Sequence, residues 1–118
     1  MRATSDVARR RRKKRLLHDV KGYWGYKSKL YRYAMNAWAR AMQYAFRDRK
    51  VKKRDFRALW IMRINAACRM HDMTYSQFVY GLKNANIDLN RKMLSEIAIQ
   101  DADAFKVLVD TAKKNIHA

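Results

Sequence analysis

The chain has 118 residues, with 28 Lys and Arg against 10 Asp and Glu for a net charge of +18, and it contains three Gly, no Pro and one Cys. That length allows at most one ordinary domain, and a lone cysteine excludes an intramolecular disulfide framework and fits a reducing interior. So large an excess of one charge in a small body repels itself, which makes a polyanionic partner the natural compensation.

The charge is concentrated at one end. Residues 1–57 carry 20 Lys and Arg with four acids, net +16, whereas residues 58–118 carry eight with six, net +2. The front is thus an electrostatic footprint and the back resembles an ordinary small domain. A front of this charge is expected to gain most of its order from its partner. Nucleic acid is the first candidate for that partner and an anionic membrane surface the second. No stretch approaches the roughly 18 apolar residues of a spanning helix. Leu16 and Leu17 are followed at once by His18 and Asp19, so no apolar core of a signal peptide is expected.

In chain order, the first twenty residues are mostly charge, with seven consecutive cations from Arg9 to Arg15. "KGYWGYKS" (Lys21–Ser28) holds two of the three glycines and is the expected bend. A helical pattern then runs from about Lys29 to about Met70. At about 100° per residue, Lys29, Arg32, Asn36, Arg40, Gln43 and Arg47 fall on one narrow polar stripe. Leu30, Ala34, Trp38, Ala41, Met42 and Ala45 fall opposite, and Tyr33 and Tyr44 border the stripe. The basic run Arg47–Arg57 continues without a breaker. Phe56, Trp60, Ile64, Ala67 and Met70 then recur every three or four residues, an apolar seam expected to pack on the back of the chain.

The back half is well punctuated. Thr74 with Gln77 three residues later is a capping-box pattern, and Met73 and Phe78 occupy the staple positions. They predict a helix over Tyr75–Asn84, with Asn86 near its end. Asn90 is a good N-cap, flanked by the pair Leu89 and Leu94, for a helix over about Arg91–Ile99. Asp101 caps a third, with Phe105, Leu108, Val109 and Ala112 on its apolar face and Lys113 and Lys114 suiting its C-terminal end. Strand-like alternation is absent. The expected fold is all-α: a long basic N-terminal helical extension (1–57) followed by a small C-terminal helical bundle (58–118).

Catalysis finds no support. Cys68 and His71 share a helix face, but two ligands do not make a zinc site, and His18 and His117 lie in remote contexts. Spacing of three on one helix does not orient a nucleophile against its base. The bland reading of Cys68, a small packing residue, is therefore preferred. There is no Gly-rich phosphate loop. The chain is expected to be no enzyme and to need no metal or cofactor.

Nucleic acid fits better. From Arg9 to Arg57 cations are interleaved with Tyr23, Trp24, Tyr26, Tyr31, Tyr33, Trp38, Tyr44, Phe46 and Phe56. Cations neutralise phosphates and release counterions, while aromatic planes stack on unpaired bases. Trp38 lies on the apolar face and reads as core; Tyr23, Trp24 and Tyr26 have no evident apolar surface to cover. A membrane-surface helix requires a stronger apolar face than Leu30–Ala45 provides. A nuclear localisation signal explains seven cations but not twenty. A DNA-compacting nucleoid protein uses the same electrostatics and is the alternative.

"KGYWGYKSKLYRYA", "YAFRDRKVKKRDFRALWIMRINAA", "YSQFVYGLK" and "LNRKMLSEIAI" closely resemble successive blocks of the L-twenty family of bacterial large-subunit ribosomal proteins. The resemblance runs in order from about Arg9 to about Ala112. It implies an all-α protein of the ribosome in the cytoplasm, bacterial or organellar, that binds large-subunit (23S) ribosomal RNA directly. It implies a role early in subunit assembly, neighbouring large-subunit proteins as partners, no small-molecule substrate, no membrane, and no part in peptide-bond formation. The RNA-contacting positions it implies are Arg9, Arg10, Arg11, Arg12, Lys13, Lys14 and Arg15, then Lys21, Gly22, Tyr23, Gly25 and Lys27. They continue through Lys29, Arg32, Arg40, Arg47, Arg49, Lys50, Lys52, Lys53, Arg54 and Arg57. The opening "MRATSDV" departs from the alternating basic residues and glycine with which many members begin. Seven adjacent cations suit a segment surrounded by phosphate on several sides, whereas a stripe suits a helix approached from one.

Overall fold

The structure, a computed structural model, describes residues 5–116. His117 and the first four residues of "MRATSDV" lie outside them. The described chain is all-α: α1 (Asp6–Asp19), a 3-10 turn (Gly25–Ser28), α2 (Tyr31–Arg69), α3 (Tyr75–Asn84), α4 (Arg91–Gln100) and α5 (Ala102–Ile116). No described helix is long and apolar enough to cross a membrane. By its internal contacts the chain divides into two compact units that meet between Lys50 and Val51, within α2.

The first unit holds α1, the bend and the front of α2. The charged start is helical, with Asp6 in its first turn bonded to Arg10 at 3.0 Å, an i,i+4 pair that also suits the helix dipole. None of its side chains is fully buried. The bend is built on Gly22 (φ 87°) and Gly25 (φ 60°), left-handed positions that favour glycine. Ser28 Oγ closes the turn by donating to the Gly25 carbonyl at 3.0 Å. Among the described residues of this unit only Val20 and Ala34 are fully buried. Lys29 precedes α2 instead of starting its stripe. Its residue ends the 3-10 turn, where its N–H donates to the Tyr26 carbonyl at 3.1 Å. Trp38 is half-buried, as is Ala41, while Leu30 and Met42 on the same face are largely exposed.

The second unit owes its order to a hydrophobic core. Ile64 and Cys68 from α2, Met73, Phe78 and Leu82, Leu94 from α4, and Phe105, Val109 and Ala112 from α5 form one buried cluster. α2, α3 and α5 each supply residues three or four apart, so each buries one stripe. The Phe78 and Phe105 rings lie 5.2 Å apart at a tilt, the offset geometry that aromatic quadrupoles favour. Gly81 lies on the same stripe, and a Cβ there would come 2.5 Å from the Ala112 carbonyl oxygen and 2.8 Å from its Cα. Glycine weakens a helix interior by about 1 kcal/mol relative to alanine, and here its missing side chain is what lets α3 and α5 approach backbone to backbone.

Helix ends follow their local chemistry. The Gln77 N–H donates to Thr74 Oγ1 at 3.3 Å and the Thr74 N–H donates to Gln77 Oε1 at 3.1 Å, completing the capping box. Asn90 Oδ1 accepts from the Met93 N–H, and Asp101 Oδ1 from the Ala104 N–H, each at 2.9 Å. After α2 and α3 the chain stops in the same way. Asp72 and Asn86 both take φ 56°, and the N–H groups of Met73 and Ile87 reach back to the carbonyls of Cys68 and Leu82 at 3.1 and 3.0 Å. This is the Schellman arrangement, with the buried Met73 and the half-buried Ile87 following the left-handed positions.

The expected apolar seam of α2 is corrected at its ends. Ile64 is fully buried, Ala67 packs against the core and Trp60 is half-buried. Phe56 and Met70 are 47% and 83% exposed. Met70 falls just past the end of α2, where the chain swings into the left-handed Asp72. The buried side passes through Cys68, one helical turn beyond Ile64.

Candidate nucleic-acid interface

The candidate interface is built from three stretches of the chain with different angular layouts. In α1 the seven cations are consecutive, and a helix turns about 100° per residue, so they point in every direction around the axis with gaps of about 60° or less. All are exposed except Lys13, which is half-buried, its Nζ 5.6 Å from the centroid of the Tyr31 ring.

The bend follows. Trp24 is 90% exposed and Tyr26 70%, large planes left in water by a turn with no apolar floor beneath them. Tyr23 is half-buried, and Lys21, Gly22, Gly25, Lys27 and Lys29 are exposed. The Tyr26 ring is 6.5 Å from that of Tyr33 on α2. This brings the bend's aromatics to the edge of the helix that carries the next cations.

The front of α2 has the expected one-sided stripe, shortened to Arg32, Arg40 and Arg47, all exposed; at 1.5 Å per residue it extends about 23 Å. Beyond Arg47 the layout changes. Arg47, Arg49, Lys50, Lys52, Lys53, Arg54 and Arg57 are all exposed, and they spread over about 220° of the helix circumference. The remaining arc holds Asp48, Val51 and Asp55. The stripe of the front of α2 thus gives way to a collar.

Few of these charges are compensated within the chain. Among the described residues, Arg10 bonds Asp6 and Arg47 Nε bonds Asp48 Oδ1 at 2.8 Å. The only other ion pair among the described residues is His18 with Asp19 at 3.7 Å, which needs a protonated imidazole. The bond to Asp48, and then its charge, raise the pKa of Arg47 further. Arg47 also stacks over the Tyr44 ring at 4.7 Å, and Lys50 over Phe46 at 4.4 Å, a favourable use of the ring quadrupole. Arg47 therefore has partners already, whereas Arg32 and Arg40 have none among the described side chains.

The collar lies beyond Arg47, where the projected stripe ends. Carrying the same 100° step on to Arg57 would have revealed it. The stacked pairs Tyr44–Arg47 and Phe46–Lys50 were legible as i,i+3 and i,i+4 spacings. Cys68 is fully buried, and burial pushes its thiol up to about 11. Neither a thiolate nucleophile nor a metal-ready thiolate is present at neutral pH.

The profile of ribosomal protein L20 matches residues 2–108 of this chain. The chain belongs to the ribosomal protein L20 family. It is similar to large ribosomal subunit protein bL20 of Limosilactobacillus reuteri, 54% identical over 99% of this chain and 100% of that protein. The bL20 protein of Carboxydothermus hydrogenoformans is 52% identical over 98% of each chain, and that of Clostridium botulinum 57% identical over 92% of each. The family read from the sequence blocks is thereby established, and the long basic helix followed by short helices is the form it takes in this L20 chain.

Proposed function

We propose that this chain is a structural component of the large ribosomal subunit that binds 23S ribosomal RNA directly and supports early subunit assembly, with no catalytic role. The observation that carries the reading is the exposed cationic tract from Arg9 to Arg57, almost free of acid partners among the described residues, in a chain whose relatives bear the name of a large-subunit protein. The contacting residues are those of the α1 ring, the bend from Lys21 to Lys29, Arg32 and Arg40, and the collar from Arg47 to Arg57. Residues 1–57 act as the RNA-binding extension and 58–118 as the globular domain that docks it, with neighbouring subunit proteins as further partners.

Co-sedimentation tests the reading. A tagged chain should travel with large subunits and their precursors, and its absence from both overturns it. A nucleoid-type DNA-binding protein shares the electrostatics, but Trp24 and Tyr26, so largely exposed, favour RNA with unpaired bases over a stacked duplex. Competition at physiological salt separates the two: structured ribosomal RNA should outcompete duplex DNA, and equal affinity supports the nucleoid alternative.

A further inference from the structure

We infer that this chain has a second activity, the annealing of complementary RNA strands, seated on the α1 ring and the α2 collar. The inference rests on the RNA-binding reading above. A one-sided stripe such as Arg32–Arg40 can hold one phosphate backbone. Cations on opposite faces of a single helix can hold two. In α1 the exposed Arg9, Arg10, Arg11 and Arg12 step around the full circumference. In the collar, Lys52 and Lys50 stand about 160° apart and Lys52 and Arg54 about 160° apart the other way. An α-helix with its side chains is about 10–12 Å across, so two strands bound to opposite faces are held within a few tens of ångströms. Strands that are dilute in solution then meet at an effective concentration in the millimolar range.

The contacts suit the task. Cations engage phosphates and leave base edges free to pair. Apart from the half-buried Lys13, the α1 and collar charges are exposed, and they are mostly without acid partners among the described residues, so their sites are open to strands. Trp24 and Tyr26, exposed on the bend, offer stacking planes to unpaired bases and so hold the single-stranded form that must precede pairing.

The test is a fluorescence-quenching assay with two short complementary RNA strands unrelated to ribosomal sequence, using the full chain at physiological salt. The second-order annealing rate should rise about tenfold or more. It should pass through a maximum as the protein-to-strand ratio increases, because excess protein coats each strand separately and ends the bridging. Two variants, each lacking six charges, three in α1 and three in the collar, isolate the geometry. One replaces Arg10, Arg11, Lys14, Arg49, Lys52 and Lys53 with Gln, which leaves the remaining cations of each helix within about half its circumference. The other replaces Lys13, Lys14, Arg15, Lys53, Arg54 and Arg57 with Gln, which leaves cations on opposite faces. Both should bind a single strand with the same salt slope, and only the second should keep the acceleration. Equal annealing by the two variants overturns the geometric basis, and a full chain that binds RNA without accelerating annealing overturns the activity. A chain that co-sediments with large subunits yet does not anneal sinks this inference alone. A chain that anneals but stays out of large subunits sinks the ribosomal reading alone.

Discussion

Cys68 and Gly81 are two residues whose neighbours, more than their own chemistry, set their properties. The buried Cys68 thiol keeps its proton up to about 11, against 9.0 when unperturbed, because the low-dielectric core disfavours the thiolate. The folded state therefore binds more protons than the unfolded state between those values. Its contribution to stability is full below about pH 9 and is lost as pH rises toward 11. The unfolding free energy from urea titrations should fall across that window by about 2 kcal/mol more in the native chain than in Cys68→Ala. The same thiol should resist alkylation at neutral pH until the chain is unfolded. Gly81→Ala should lower stability by about 1–3 kcal/mol through overpacking against the Ala112 backbone, despite alanine's higher helix propensity. A thermal-melt shift near zero would show that α3 and α5 can separate without cost.

At the scale of the element, the short helices are fixed by their ends and the long one by its sides. Thr74→Ala removes the acceptor for the Gln77 N–H and should cost about 1 kcal/mol, read from chemical denaturation. The front stripe of α2 makes a binding prediction instead. Converting Arg32, Arg40 and Arg47 together to Gln should flatten the salt slope of RNA binding by about two units. Three charges are removed, but Arg47 is already held by Asp48 at 2.8 Å, so its phosphate share is the smallest. An unchanged slope would mean that this stripe faces solvent in the complex.

At the scale of the whole molecule, burial and charge lie in different parts of the chain. The fully buried cluster draws on Ile64 to Ala112, while the first unit buries only Val20 and Ala34 among its described residues. Helices without a packed side are marginal in water, and α1 and the collar carry like charges around most of their surface. Amide exchange in the free protein should accordingly be fast across Asp6–Arg57 and slowest at Ile64, Phe78, Leu82, Phe105 and Val109. Uniform protection along all of α2 would contradict this and would give the collar a stability of its own.

Much of this was legible along the chain. The capping box at Thr74, the Asn90 and Asp101 caps and the turn at Asn86 are local signals, written within four residues and readable without a partner in space. The helices they bound fell where those residues placed them. The basic tract was equally plain, since charge needs no fold to be counted, and the sequence blocks identified the family. Other features depended on packing. Whether Met70 or Cys68 continues the buried side of α2 depends on where α3 and α5 lie, and periodicity alone admits both. The need for glycine at 81 arises from the backbone of Ala112, thirty-one positions away, which no local pattern contains. The all-round placement of the α1 cations follows from the limits of that helix, which a run of like charge does not mark. By itself the sequence determined the helix ends, the family and the location of the charge, because each is fixed by near neighbours or by composition. Only the tertiary structure decided which faces are covered, because burial is a property of the elements brought together.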